Sequence, residues 1–299
     1  MAVLNYAKEY SQALANAYPY QLYYNCCYTT PNNNRYRWTG AKTIEIPKIT
    51  TTGRVNSDRD TIGTASRNYD NSWETKVLTF QRKWSTLVHP MDIDQTNYVA
   101  SIGNITQTYN EFQKFPEMDA YCFSKLYSDW TALGKTATAI ALTEDNVLDY
   151  FDKMMETMDE KRIPPTGRIL HVPPHINTMI KNASQVTRFV NVDGNGANSI
   201  NRKVSRIDEV EINVVPSELM KTAYDFTSGW AVGAGAKQVQ MCLMHPMSCI
   251  CPVSYQFAQL DEPSAKTEGK YLYFEESFED AFLLNEKADG FQYVIEPTA

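Results

Sequence analysis

The sequence is poor in the residues that build disulfide frameworks and metal sites. It has six cysteines and four histidines in 299 residues, and it contains no pair of Cys-x-x-Cys clusters that would hold zinc. It has no uninterrupted apolar run of about eighteen residues, and its N-terminus lacks a basic segment followed by a hydrophobic one. We therefore expect a chain in a reducing cytoplasm that neither crosses a membrane nor carries a standard secretion signal.

Positive charge is also scarce, with 28 Lys and Arg against 35 Asp and Glu and a net charge of −7. Coating of nucleic acid depends on clustered Lys and Arg, so this balance disfavours it. The charge is uneven, because residues 1–90 carry +5, the remainder −12, and residues 261–299 alone −7. Copies associating head to tail could set basic against acidic parts, although ordinary surface scatter gives the same pattern.

What the sequence does contain is typical of a folded protein. Its residues are 43% hydrophobic and 12% aromatic, with 19 tyrosines, which excludes disorder as the main state. The length is sufficient for one large or two ordinary domains, each with its own core.

The N-terminal third predicts an extended arm followed by a long hairpin. Residues 1–40 are rich in Tyr, Asn and Thr, with one short helical candidate near Ala7–Ala17. Lys42–Ile49 and Trp73–Phe80 alternate apolar and polar side chains, so we expect two paired strands. About twenty polar residues separate them, which suits a hairpin that projects and docks elsewhere.

The middle of the chain predicts a helical rod. An apolar stripe at helical spacing runs through Tyr98, Ile102, Ile105, Tyr109 and Phe112. Proline at 116 is expected either to kink this helix or to open a second one at its first turn. That second piece would turn four side chains inward: Met118, Tyr121, Cys122 and Leu126.

The rest of the chain alternates between helices and strands. A helix is predicted after an N-cap at Thr143, and its buried face comprises Val147, Leu148, Phe151, Met154, Met155 and Met158. A short helix is expected at His175–Asn182 and a polar connection at 183–208. Strands are predicted at Ile169–Val172, Glu211–Val215, Val239–Met244, Tyr271–Phe278, Ala281–Asn285 and Phe291–Ile295, the last two joined by a hairpin across EKADG. The predicted class is α+β.

Candidate metal and thiol sites are weak. Two prolines separate His171 from His175, so these histidines do not share the helical face on which such a pair would converge. The Cys26-Cys27 and Cys249-Ile-Cys251 pairs are too close and too isolated in sequence for a four-ligand site, and buried structural thiols are their commoner fate.

Candidate ligand loops and acid pairs are equally weak. The Asp193–Asn198 loop has Asn198 and Val204 where a calcium loop needs glycine and glutamate, and Gly229–Lys237 lacks the Gly-Lys-Ser/Thr of a phosphate loop. The acidic pairs are those of solvated surfaces: Asp58/Asp60, Asp92/Asp94 and Glu275/Glu276. We assign no catalytic, cofactor-binding or metal-binding residue and expect no cofactor.

Four stretches carry a family resemblance. They are WETKVLTFQRKWSTLVHPMDIDQTN (73–97), FPEMDAYCFSKL (115–126), MDEKRIPPTGRILHVPP (158–174) and YFEESFEDAFLLNEKADGFQYV (273–294). In this order and spacing they resemble the major capsid protein of tailed bacteriophages, which has the Hong Kong 97-like fold.

The resemblance implies a domain organisation. It comprises an N-terminal arm over residues 1–40, an extended β-hairpin called the E-loop over 41–83, a peripheral domain with a long spine helix over 84–139, an axial domain over 140–245 and a return to the peripheral domain over 246–299. Some relatives cross-link E-loop lysines to a neighbour's asparagine. Here Lys42, Lys48 and Lys76 are present, but the sequence identifies no activating carboxylate, so we do not expect a cross-link.

The function implied is structural rather than enzymatic. The chain would assemble into pentamers and hexamers of an icosahedral shell around phage double-stranded DNA, a non-specific cargo, in the host cytoplasm. Only about 40 residues precede the hairpin, so a separate scaffolding protein, or none, is implied, with portal and decoration proteins as further partners and no membrane.

Two alternatives remain open at this point. The same fold could form an encapsulin-like bacterial compartment that encloses an enzyme. A soluble glycosidase could instead use paired carboxylates and a tyrosine-rich surface.

Overall fold

The computed structural model describes residues 20–56, 59–60, 63, 67–96, 100–183 and 206–297, and it has the predicted mixture of helices and strands. The predicted helix at Ala7–Ala17, most of the 183–208 connection and Tyr98 lie outside this described part. Among the described residues, no helix is both long enough and apolar enough to cross a bilayer.

The predicted hairpin is confirmed. After a short helix α1 (Asn25–Tyr28) and strand β1 (Arg37–Trp38), strands β2 (Thr43–Thr51) and β3 (Tyr69–Val77) pair antiparallel from Thr43 opposite Val77 to Thr51 opposite Tyr69. Strand β1 pairs with the other edge of β2, which gives a three-stranded sheet. This leaves β3 as an edge strand.

The predicted rod is present and contains a π-helical turn. Strand β4 (Gln81–Val88) and helix α2 (Pro90–Gln95) precede α3 (Ile102–Tyr109), the π-turn Asn110–Lys114 and α4 (Phe115–Ala132). Of the two outcomes predicted for Pro116, the structure has the second, because proline lies in the first turn of α4. Cys122 and Leu126 are buried as predicted, whereas Met118 and Tyr121 are half-buried.

A second helical region follows the rod. Its elements are β5 (Thr138–Ala139), α5 (Val147–Glu160), β6 (Ile169–Val172), α6 (Pro174–Asn182), β7 (Arg206–Ile207), β8 (Val210–Val214), β9 (Tyr224–Asp225), β10 (Ala231–Val232) and β11 (Val239–Met244). The predicted N-cap of α5 is wrong by three residues. Asn146 is the N-cap residue, and its Oδ1 accepts a hydrogen bond from the Thr143 backbone N at 2.8 Å in the turn before the helix.

The last strands differ from the predicted hairpin. They are β12 (Cys249–Ile250), β13 (Val253–Asp261), β14 (Tyr271–Glu279), β15 (Phe282–Leu283) and β16 (Phe291–Ile295). The EKADG segment forms part of a 3₁₀ helix, β15 pairs with β12, and β16 pairs with β11. The predicted β15–β16 hairpin is therefore wrong, because each strand has a partner from an earlier part of the chain.

Two larger sheets organise the body. One has the order β5-β16-β11-β6-β8-β7, and the other has the order β13-β14-β4. Strands β4 and β13 were not predicted from the sequence, although β13 alternates Val253, Tyr255 and Phe257 with polar residues. The first sheet is covered on both faces, as its central strand β11 shows, since all six of its residues are buried.

Three groups of buried side chains hold the body together. The spine core lies between α4 and the six-stranded sheet and includes Cys122, Phe123, Leu126, Cys242 and Tyr293. The axial core lies on the other face, under α5 and α6, and includes Phe151, Met154, Leu170, Ile176 and Leu243. The hairpin core lies at the base of the hairpin and consists of Ile44, Leu78, Ile250, Phe278, Phe282 and Leu284.

Candidate assembly surface

Strands β2 and β3 of the hairpin expose large apolar side chains. Ile49 is 70% exposed, Val77 53% and Trp73 43%, with the Arg37 guanidinium 3.9 Å from the Trp73 ring centroid. Apolar surface of this kind, on a hairpin that ends in an unpaired strand edge, is a site for association with another surface.

The base of the hairpin differs from the prediction. Ile44 and Leu78 belong to the hairpin that was predicted to project and dock elsewhere, but both are buried in the hairpin core of their own chain. The reason is that Phe278, Phe282 and Ile250 from the last part of the chain pack against them. Trp84 likewise finds a partner in its own chain, stacking on Tyr109 with ring centroids 3.9 Å apart.

A buried carboxylate fixes the root of the hairpin. Asp280 accepts hydrogen bonds from the Thr79 backbone N at 2.7 Å and from the Tyr121 hydroxyl, also at 2.7 Å. Because Tyr121 belongs to α4, one side chain connects the hairpin to the rod. Burial and the negative charge of Asp280 raise the pKa of Tyr121 well above its usual value.

The three lysines considered for cross-linking make contacts within their own chain. Lys76 donates to Asn285 Oδ1 at 3.1 Å and lies 2.9 Å from Glu74 Oε1. Lys48 is paired with Glu286, and Lys42 lies 5.4 Å from the Phe278 ring centroid. These contacts hold the hairpin against the body.

The β13-β14-β4 sheet has a second exposed apolar face. Tyr255 and Phe257 of β13 point to the same side, with parallel rings 6.4 Å apart, and they are 47% and 38% exposed. Leu87 of β4 is 58% exposed and lies opposite Leu272 on the same face. Both β13 and β4 are edge strands, so this sheet offers exposed apolar side chains and open backbone groups.

The other face of that sheet encloses a cavity of about 240 Å³ against α4 and the β9–β10 loop. Two ion pairs lie in this cavity, because Arg82 contacts Glu117 and Lys114 lies 3.2 Å from Glu275. Arg82 also donates to the carbonyl oxygens of Phe226 at 2.7 Å and Gly229 at 3.2 Å. The contacts of Arg82 therefore join β4 to α4 and to the β9–β10 loop.

One carboxyl group of this cavity has an altered acidity. Burial raises the pKa of Glu279 to about 7, and the nearby positive charge of Lys114 opposes the shift only in part. Burial likewise raises the pKa of Glu117, against the contribution of Arg82.

The structure separates the two histidines considered as a metal pair. His171 is fully buried and its ring stacks on Tyr24, whereas His175 is exposed in the first turn of α6. Within the described residues, no group of three or more His, Cys, Asp or Glu side chains has the arrangement of a metal site.

The remaining candidates are dispersed. Gly229–Lys237 carries the short strand β10, which pairs with β9. Asp193–Asn198, Val204 and Asp58 lie outside the described residues. Asp60 is exposed, Asp92 and Asp94 lie on α2, and Glu276 accepts a hydrogen bond from Gln81 at 2.6 Å.

The cysteines are less isolated than their sequence positions indicate. Cys27, Cys122, Cys249 and Cys251 lie together in the spine core, Cys242 lies in the same core, and Cys26 packs against it. All six are free thiols. Residues from both ends of the chain meet here, so no local spacing could have predicted the cluster.

Comparison with known proteins gives matches at the level of structure. No family model and no curated protein matches the sequence. The mature capsid of bacteriophage PhiM1 contains a similar chain, with 12% identity, a TM-score of 0.68 and coverage of 99% of this chain and 93% of that one.

Two further structures show the same likeness. The capsid of the cyanophage P-SCSP1u matches with 12% identity and a TM-score of 0.63 over 98% of this chain and 93% of the other. The capsid of an empty GTA particle matches with 9% identity and a TM-score of 0.60 over 98% and 95%. In its described residues, this chain therefore has the capsid fold that its sequence predicts, the Hong Kong 97-like fold.

Proposed function

We propose that this chain is the major capsid protein of a tailed bacteriophage and assembles into the pentamers and hexamers of an icosahedral shell. The observation that carries the proposal is the likeness over nearly the whole chain to subunits of phage capsids. The exposed hairpin supports it, because a projecting sheet with apolar side chains and an open edge suits a protein whose partners are its own copies.

Two surfaces of the chain would meet in such a shell. The hairpin residues Ile49, Trp73 and Val77 are exposed, and so are Tyr255 and Phe257 on the second sheet. Burial of apolar area stabilises association by about 25 cal/mol per Å². A ring needs two different patches that meet head to tail, and these two faces provide them.

Charge is consistent with double-stranded DNA as cargo. A net charge of −7 repels phosphates, so contacts with a packaged genome would be weak and sensitive to salt. We propose the virion as the location, with assembly in the host cytoplasm. Portal, decoration and separate scaffolding proteins are the further partners that this function calls for.

The test separates assembly from folding. Trp73→Ala removes an exposed ring of β3, so we expect sedimentation to show a large loss of particles while chemical denaturation shows nearly unchanged subunit stability. Thr75→Ala on the same face of β3 is the matched control and should leave assembly intact. Equal loss of assembly and stability in Trp73→Ala contradicts the proposal.

The cargo is tested on purified particles. DNA inside gives a high ratio of absorbance at 260 nm to that at 280 nm, together with particles of phage size in negative-stain microscopy. Small particles that hold only protein would show a bacterial compartment instead, and an active, stable monomer in light scattering would show an enzyme.

A further inference from the structure

The cavity between the β13-β14-β4 sheet and α4 is lined on one side by alternate residues of two strands. Glu275, Ser277 and Glu279 of β14 line it, and so do Arg82 and Trp84 of β4. Side chains two residues apart point to the same face of a strand. Strand register sets Arg82 opposite Ser277 and Trp84 opposite Glu275, so these residues form one continuous wall.

The opposite wall belongs to the rod, and the π-turn shapes it. Tyr109, Lys114 and Glu117 line the cavity from this side. In the turn, the backbone N of Phe115 donates to the O of Asn110, five residues earlier. The wider turn brings Lys114 to the same face as Tyr109, which is also five residues before it. Single π-turns of this kind occur frequently at functional sites.

The two cations on the cavity walls nearest to buried acids already have partners. Lys114 lies 3.2 Å from Glu275, which also accepts a hydrogen bond from the Tyr273 hydroxyl at 2.9 Å. Arg82 contacts Glu117 and donates to two backbone carbonyl groups. An anion that entered would therefore meet acids and cations that are already paired with them.

Glu279 differs from the other two acids of the cavity. In the part of the chain that the structure describes, its carboxylate takes part in no hydrogen bond or ion pair, and only its backbone N is bonded, to the O of Phe80 at 3.2 Å. The side chain is half-buried and lines the cavity. A carboxylate that is removed from water without a cation of its own is a binding group for a cation from outside.

The size and the walls of the cavity limit what this cation can be. Its volume of about 240 Å³ lies below the range of about 300–1,000 Å³ that is typical of pockets for drug-sized ligands. Phe80, Trp84 and Met118 supply apolar surface. Aromatic ring faces also attract organic cations. These features suit a molecule with one charged group and a short apolar chain.

We propose that this cavity binds a small organic cation, an ammonium group on a short alkyl chain, with the Glu279 carboxylate as its counter-ion. The ammonium group donates to this carboxylate and to the hydroxyl of Ser277, which lines the cavity two residues away on the same face. The alkyl chain packs against Phe80 and Met118.

A proton competes with this ligand for Glu279. Its pKa of about 7 means that the ionised fraction falls about 10-fold between pH 8 and pH 6, while an alkylammonium ion stays charged. The affinity should fall by the same factor. The charged and titratable groups that surround Glu279 are Arg82 and Lys83 of β4, Tyr109 and Lys114 of the rod, Glu117 and Cys122 of α4, Glu275 and Asp280, Tyr28 of α1, and Cys251.

The experiment uses the full chain, as subunits or as particles, because the cavity lies within one chain. Butylamine is the probe, and n-butanol, which has a similar shape without the charge, is its matched control. Ligand-observed NMR titrations at pH 8 give both dissociation constants, and we expect n-butanol to bind at least about 10-fold more weakly. For butylamine we expect a loss of about 10-fold in affinity at pH 6.

A pair of variants tests the role of Glu279. Glu279→Gln keeps the size of the side chain and removes its negative charge, so butylamine should bind at least about 10-fold more weakly at pH 8, and the affinity should no longer depend on pH. Glu276→Gln alters the neighbouring carboxyl group on the opposite face of β14, and it should bind butylamine as the parent chain does.

Four results would overturn the proposal. They are no saturable binding of butylamine at millimolar concentrations, equal binding of n-butanol, an affinity that does not change between pH 6 and pH 8, and equal affinities of the parent chain and Glu279→Gln. The first three come from the unmodified chain, so they decide the matter even where a variant does not fold. Because the cavity lies within one subunit, failure here leaves the proposed capsid function untouched, and failure of assembly leaves this proposal untouched.

Discussion

Strand β11 and the hairpin strand β3 show two ways of using apolar residues. Every residue of β11 is buried between two cores of its own chain. Strand β3 is exposed along most of its length, including Trp73 and Val77. The comparison separates residues that stabilise the subunit from residues that remain available to another surface.

The largest effect is expected from a substitution that creates a cavity beside β11. Leu243 is 0% exposed in the axial core, so Leu243→Ala should lower the free energy of unfolding by about 2–5 kcal/mol. Chemical denaturation measures the effect, and Val77→Ala on β3 is the counterpart that should cost less than about 1 kcal/mol. Similar losses for both variants would remove the distinction.

The second test uses pH. The pKa of Glu279 is raised to about 7 in the folded chain, so the folded state binds this proton more tightly than the unfolded state. Its contribution to stability is therefore complete below about pH 4.3 and is lost as the pH rises through 7. In the parent chain, this group should change the free energy of unfolding by up to about 3 kcal/mol between pH 4.5 and 7. We expect Glu279→Gln to remove this change, as measured by urea titrations at each pH.

Glu276→Gln is the control for that experiment. It alters a neighbouring carboxyl group on the opposite face of β14, beside Gln81. The pH dependence of the free energy of unfolding should be the same in this variant as in the parent chain. If both variants lose the pH dependence equally, Glu279 is not its source.

The third test concerns Arg82, which connects β4 to the β9–β10 loop. Its contacts with Glu117 and with two backbone carbonyl groups should be worth about 1–3 kcal/mol to the local structure. Arg82→Ala should speed hydrogen exchange in residues 224–232 while exchange in β11 stays slow. Lys83→Ala, an exposed change on the same strand, should have no such effect.

The smallest effect on stability is expected from a substitution of Lys76, which connects the hairpin to the body. Lys76→Met removes the bond to Asn285 and the ion pair with Glu74, and a pair near the surface contributes less than about 1 kcal/mol. Hydrogen exchange should quicken in residues 43–51 with little change in global stability. Unchanged exchange there would show that the hairpin core alone holds this sheet.

Sequence analysis succeeds where a pattern is local. The alternation in Lys42–Ile49, the stripe of α5 and the proline at the start of α4 are all readable within a few residues. The capsid fold itself is recognised from short stretches that lie far apart in the chain, which periodicity alone does not connect.

Burial and strand pairing are not predicted correctly where the contacting residues lie far apart in the sequence. The burial of Ile44 depends on Phe278 and Phe282, more than two hundred residues away. Strands β15 and β16 are adjacent in sequence but pair with β12 and β11, so the local hairpin pattern is misleading. The thiol cluster and the contacts of Arg82 likewise depend on the tertiary fold, because the residues that form them are far apart in the sequence.

The position of β16 has a consequence for synthesis. This strand lies inside the six-stranded sheet, with β11 on one side and β5 on the other, although it comes from residues 291–295. A nascent chain therefore cannot complete its central sheet until translation has reached this strand. A chain that ends before residue 291 would lack the strand that joins β5 to β11, and with it part of the sheet that separates the two larger cores.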